Sequence, residues 1–247
     1  MGRAFTPNDK LVAKATKDFA AHVAYRHDAT TAVKDMFHTW VLALRNSFEP
    51  RGDAWDRREA EYMALVERYG RDGIEVFTEC LGLITMASQE SPGDHIGQLY
   101  HALFANNKWR GQFFTPYNVS IMMARMTFSR DLIDNAIAEK GYVSAHEPSC
   151  GAGGMVVAMG DALRQLGYDP TQVLRVHAID IDRGCVDMTY VQSHLQGVPC
   201  FVEQADALHP GSSNKWGYGI MNVHYAMQVA EHAAKGTVAL LPGTKAA

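Results

Sequence analysis

Residues 142–154 read YVSAHEPSCGAGG: an apolar run, then a carboxylate, a proline and a glycine-rich turn. A turn of this kind at the carboxyl end of a first parallel strand lets the backbone approach a ligand closely. The helix expected next, Met155–Leu166, presents free N–H groups at the same place. Gly151, Gly153 and Gly154 are also what a tight structural turn uses, and taken alone they fit both readings.

The alternation continues downstream. LRVHAIDID (174–182) reads as a strand, Gly184–Leu195 as a helix, PCFVEQAD (199–206) and GYGIMNV (217–223) as strands, Met227–Ala234 as a helix and TVALLP (237–242) as a last strand. Strands alternating with helices predict a parallel sheet in a doubly wound, Rossmann-like α/β domain, its strands buried on both faces. Upstream the period is helical. In TTAVKDMFHTWVLALRNSF (30–48), Val33, Met36, Phe37, Trp40, Val41 and Leu44 follow the three-four spacing of a buried stripe. EPRGDAWD (49–56) is a loop by composition. Helical patterning then covers Ala54–Tyr69 and Gly73–Ala87, and breaks at SPGD (91–94). Asp94 is placed to cap a helix with Ile96, Leu99, Tyr100, Leu103 and Phe104 on one face. The expected organisation is a helical domain over 1–110 and an α/β domain over 111–247.

Composition narrows the function. With 23 basic and 27 acidic residues the formal charge is −4, so no global basic field holds a polyanion, and any nucleic-acid contact is local or supplied by a partner. The four cysteines, Cys80, Cys150, Cys185 and Cys200, form no CxxC pair, which argues against a zinc knuckle or a disulfide framework and for a reducing cytoplasm. The 11 histidines form no HExxH or HxH array, and no metal site is expected. No 18-residue apolar stretch predicts a membrane span, and the charged opening segment does not read as a secretion signal.

Two carboxylates sharpen the glycine-loop reading. AIDID places Asp180 about thirty residues after the loop, where a carboxylate in such a fold accepts from a ribose diol. QADAL places Asp206 at the neighbouring strand end, within reach of an adenine amine. Taken singly, Asp182 and Asp206 also read as helix or turn caps.

GQFFTPYNVSIMMARM (111–126), HEPSCGAGGMVVAM (146–159), HAIDIDRGCVDMTYVQSHLQG (177–197) and EQADALHP (203–210) resemble successive motifs of the amino-methylating DNA adenine methyltransferases, most closely the modification subunits of type I restriction systems. The resemblance runs from about Asp94 to the end of the sequence. It implies S-adenosylmethionine as cofactor: Phe114, Thr115 and Pro116 flanking its methionyl group, Glu147, Pro148, Gly151 and Gly153 forming the loop beneath, Asp180 on the ribose, Ile181 packed on the adenine and Asp206 on its amine. Glu147 stands where the family more often has Asp, a swap that keeps the carboxylate.

The family's catalytic motif, Asn-Pro-Pro-Tyr or Asn-Pro-Pro-Phe at a strand end, is matched here by Asn222, Val223, His224 and Tyr225. By resemblance, the Asn222 side chain and the Val223 carbonyl would accept from the adenine amine, and Tyr225 would stack on the flipped base. Without two prolines the turn holding both acceptors loses its rigidity, and misplacement by an ångström costs about a hundredfold in rate. The sequence also ends soon after TVALLP, where the family continues. The expectation is a truncated, five-stranded sheet with an edge that a partner or a second copy covers, unless the form is simply shortened.

Three functions compete on this basis. The first is a DNA adenine-N6 methyltransferase-like protein of restriction-modification type, acting with DNA and a specificity subunit or other partner. The second is a catalytically inactive cofactor-binding subunit or regulator in a restriction or mobile-element system. The third, methylation of glutamine amides in translation factors, fits less well because of GQFFTP.

Overall fold

The computed structural model describes residues 7–23, 27–104, 113–209 and 218–234. The chain divides into two compact units, Met1–Phe114 and Thr115–Ala247, so the boundary falls after Phe114 rather than before Gly111.

The first unit is helical throughout its described residues: α1 (Pro7–His22), α2 (Ala29–Phe48), α3 (Asp53–Glu90) and α4 (His95–Leu103). The two helical segments expected before and after residue 70 are one element, α3, kinked where Gly70 takes φ 67°. Asp28 caps α2 by accepting from the Thr31 amide, and Asp94 caps α4 by accepting from Gly97. α1, α2 and α4 pack on α3. The stripe of α2 meets α3 where Trp40 donates its indole N–H to the Phe77 carbonyl at 2.8 Å. Phe19 and Tyr69 close on the Phe77 ring at 6.1 and 5.0 Å.

The second unit opens with α5 (Tyr117–Thr127) and α6 (Arg130–Lys140), which stops at Gly141 in the left-handed region, φ 81°. There follow β1 (Val143–Glu147), α7 (Gly154–Gln165), α8 (Pro170–Val173), β2 (Leu174–Asp180), α9 (Arg183–Leu195), β3 (Cys200–Gln204), β4 (Gly219–Met221) and α10 (Val223–Ala234). The sheet order is β1-β2-β3-β4. β1, β2 and β3 run parallel through the crossovers that carry α7 and α9. The strand expected at TVALLP lies outside the described residues.

Two expectations are corrected. β4 is not parallel: it pairs antiparallel with β3, Phe201 opposite Met221 and Glu203 opposite Gly219. β4 has only three residues, and so short a strand carries no signal of its direction in its own sequence. Nor is the sheet apolar on both faces. Val143, Leu174, Val176, Ala178, Cys200, Val202 and Ile220 are buried on one face. The other carries Arg175, His177, Phe201 and Glu203, with exposed Ser144 and His146 on β1.

Candidate functional site

The carboxyl ends of β1 and β2 are tied together by the glycine loop. The Cys150 amide donates to the Ile179 carbonyl at 2.9 Å, and the Gly151 amide donates to Asp180 Oδ2 at 2.9 Å. Asp180 Oδ1 accepts from the Asp182 amide at 2.9 Å, and the Asp180 carbonyl accepts from Ala205 at the end of β3. One carboxylate therefore fixes the loop and the turn after its own strand. Gly151 and Gly153 both take positive φ, 55° and 89°, and Gly153 is the N-cap of α7. A Cβ on Gly153 would lie 3.1 Å from the Thr189 Cα on α9, so glycine is required there by conformation and by space.

The rim of this end is acidic and partly apolar. Glu147 accepts from the Ser149 amide at 3.1 Å, next to exposed Pro148. Asp206 accepts from the Leu208 amide at 3.0 Å and pairs with His209 Nδ1 at 2.6 Å. Asp182 caps α9 through the Gly184 amide at 2.6 Å. Ile181 is 59% exposed between these carboxylates. A carboxylate offers about four lone-pair sites. Asp180 has one backbone amide on each oxygen, which leaves an acceptor site on each for a diol. The Cys150 thiol in the loop is pushed well above its ordinary range by burial, so it stays neutral and is no nucleophile. Among the described residues no group of three or more His, Cys, Asp or Glu side chains could hold a metal ion.

The structure thus brings Glu147, Pro148, Gly151, Gly153, Asp180, Ile181 and Asp206 to one end of the parallel strands. Thr115 and Pro116 belong to the same unit, where Pro116 is the N-cap of α5 and its carbonyl accepts from Val119 and Ser120. Phe114 belongs to the helical unit, its ring 5.2 Å from Tyr100 and 5.1 Å from His101. Gly111 and Gln112 lie outside the described residues.

Asn222, Val223 and Tyr225 are not brought to that end. Because β4 is antiparallel, its last residues lie beside the start of β3, and the Asn222 amide donates to the Cys200 carbonyl at 3.0 Å. From Cys200 to Gln204, which pairs with Asp180, is four steps along β3, or roughly 13 Å at about 3.3 Å per residue. Asn222 is fully buried, and its side chain makes four hydrogen bonds. Oδ1 accepts from the Cys200 and Tyr225 amides at 3.2 and 3.0 Å, and Nδ2 donates to Ser193 Oγ and the Val198 carbonyl at 3.1 and 2.7 Å. Those four bonds fill the donor and acceptor capacity of a primary amide. Val223 is the first residue of α10, which starts four residues before the expected Met227 because Asn222 caps it. Tyr225 is 4% exposed, with its ring 6.4 Å from Phe201, and burial raises its phenol pKa.

Sequence reasoning missed the groups on the polar sheet face and on α9. Arg175 is buried: its guanidinium lies 3.9 Å from the centre of the Tyr142 ring, and its Nε donates to Gln228 Oε1 at 3.1 Å. His177 Nε2 meets Glu203 Oε2 at 3.1 Å. The polar residues inside LRVHAID were the available signal, since a strand buried on both faces does not carry Arg and His at alternate positions. On α9, Thr189 and Gln192 bond the glycine loop, with nothing in their residue types to mark them.

The profile of the N-6 DNA Methylase family matches residues 91–235, more than half of the chain. No curated protein matches it. Among solved structures, it is similar to a Listeria monocytogenes protein described as a class I S-adenosylmethionine-dependent methyltransferase, at 12% identity and a TM-score of 0.45, covering 81% of this chain and 55% of that one. It is similar also to the methyltransferase subunit of a type I restriction-modification system from Streptococcus thermophilus, at 15% identity and a TM-score of 0.44, covering 83% and 60%. The chain spans 55% to 60% of the length of these two structures. On the match over residues 91–235, the chain belongs to the N-6 DNA methylase family.

Proposed function

We propose that the chain binds S-adenosylmethionine at the carboxyl end of β1, β2 and β3, and that in the described arrangement it holds the cofactor without itself presenting an acceptor amine to it. The observation that carries the first half is the bond from Gly151 to Asp180, which sets a close-approach loop beside a carboxylate with free acceptor sites. Asp180 would take the ribose diol, Ile181 the adenine face and Asp206 the adenine amine, with Glu147, Pro148, Gly151 and Gly153 beneath the methionyl part. Phe114, Thr115 and Pro116 are assigned to the methionyl end on the resemblance of FFTP to the family motif. The bound cofactor would supply an activated methyl group on a sulfonium centre, and the acidic rim suits its positive charge.

The second half rests on Asn222. An adenine amine is a poor nucleophile, and its activation needs an acceptor aimed at it; the Asn222 amide has none free. For Asn222, the Val223 carbonyl and Tyr225 to act as a catalytic corner, β4 would have to leave β3 and those four bonds would have to break. This favours a cofactor-binding subunit or regulator of restriction-modification type, which meets DNA through a partner such as a specificity subunit. The charge of −4 supports that dependence. A second copy of the chain is the alternative partner. Cys80, Cys150, Cys185 and Cys200 are buried thiols and not in disulfides, which fits the cytoplasm. Among the described residues no helix is long and apolar enough to cross a membrane.

Calorimetric titration with S-adenosylmethionine, with tritiated methyl transfer to mixed-sequence DNA run on the same preparation, tests both halves. Binding without transfer is the expected result. Transfer by the isolated chain overturns the second half, and no binding overturns the first.

A further inference from the structure

We infer that Thr189 and Gln192 of α9 are positioning residues for the glycine loop: they hold its carbonyls so that the loop is preformed for the cofactor. The inference rests on the cofactor reading above and adds two residues to it.

The loop is fastened from two sides. On the β2 side its amides are taken, Cys150 by the Ile179 carbonyl and Gly151 by the Asp180 carboxylate. On the α9 side its carbonyls are taken: Thr189 Oγ1 donates to the Gly151 carbonyl at 2.9 Å, and Gln192 Nε2 donates to the Ala152 carbonyl at 2.7 Å. Thr189 is 0% exposed and Gln192 1%, so neither reaches solvent or a ligand directly. Residues three apart on a helix share a face, so the two donors meet consecutive carbonyls of the loop. Contact is close as well as polar, since the Gly153 Cα lies against the Thr189 backbone with no room for a Cβ.

Glycine supplies the left-handed conformations at Gly151 and Gly153, but it also has the most freedom to lose. A loop containing Gly151, Gly153 and Gly154 would sample many shapes if only the β2 side held it. Ordering it at the moment of binding would then weaken the complex. The α9 donors remove that freedom before the cofactor arrives, and they act through the loop rather than by touching the ligand.

The test uses the full chain, with Thr189→Val removing the hydroxyl at nearly constant shape, Thr189→Ser restoring it, and Gln192→Leu removing the second donor. Titration with S-adenosylmethionine is run well below each variant's unfolding temperature, beside amide hydrogen exchange at Gly151–Gly154 without ligand. Thr189→Val and Gln192→Leu are each expected to weaken binding about five- to tenfold and to speed exchange in the loop, while Thr189→Ser stays within twofold of the parent. Thr189→Val binding as tightly as a parent that binds would overturn the positioning role and leave the cofactor reading intact. A parent that does not bind overturns the cofactor reading, and the positioning role then fails if loop exchange in Thr189→Val matches the parent.

Discussion

The Cys200 amide donates to Asn222 Oδ1 at 3.2 Å, so the first residue of β3 and the residue just after β4 are held together by a buried side chain. The same oxygen accepts from Tyr225, and Nδ2 joins Ser193 and Val198. Asn222 is therefore the node at which β3, β4, α10 and the end of α9 meet. Asn222→Ala is expected to destabilise the fold by roughly 3 kcal/mol or more, because it leaves several buried backbone groups without partners. Its effect on S-adenosylmethionine affinity is expected to stay within twofold. Urea unfolding beside calorimetry checks this, and unchanged stability with lost binding would place Asn222 at the cofactor instead.

Gly153→Ala combines two penalties. The position has φ 89°, and the added methyl would stand 3.1 Å from the Thr189 Cα, a backbone atom that cannot swing aside. The expected cost is about 1–3 kcal/mol of stability together with loss of cofactor binding, since the loop must lift from α9. Gly167→Ala is the control, having a similar φ of 91° with nothing within 4 Å of the added methyl, and it should cost less and leave binding alone.

Stability is expected to fall below neutral pH. Burial lowers the His194 pKa to about 4, and His224 beside it, 5.7 Å between ring centres, acts in the same direction. The folded chain holds this imidazole neutral, whereas an unfolded chain protonates it near its ordinary value of 6.5. Its contribution is thus fully present above pH 6.5 and is lost as pH falls from there to about 4, to an extent of about 3 kcal/mol. Burial also lowers His177, with Glu203 opposing, and it works with the same sign. Urea midpoints between pH 7.5 and 4.5 measure the slope, and His194→Gln should flatten it.

How far the sequence carried the fold depends on what kind of signal each element needed. Periodicity was enough for the stripe of α2, buried at every expected position but half-buried Leu44, and capping chemistry for Asp94 and Asp182, because both are local. The glycine loop and Asp180 were legible because strand ends and a helix start fix their positions together. The direction of β4 was not. A three-residue strand reads alike in both directions, and its own residues do not decide whether it pairs parallel or antiparallel with its predecessor. With that direction went the place of Asn222, whose residue type suits an amine acceptor and a helix cap equally. Thr189 and Gln192 were invisible for a related reason: their partners are backbone carbonyls far away in sequence.

Asp180→Asn separates the two tasks of that carboxylate. An amide has one oxygen, so it can accept from Gly151 or from Asp182 as a carboxylate does, but it turns its NH2 group toward the other amide. One part-buried bond becomes a donor facing a donor, with an expected cost of about 1–3 kcal/mol in stability. Cofactor affinity is expected to fall at least tenfold, since a ribose diol also loses an acceptor. Asp182→Asn, which keeps an oxygen to cap α9, should cost less than about 1 kcal/mol and leave affinity near the parent value. Calorimetry on both variants decides the assignment: an Asp180→Asn chain that is destabilised yet binds S-adenosylmethionine like the parent would make Asp180 a loop anchor and nothing more.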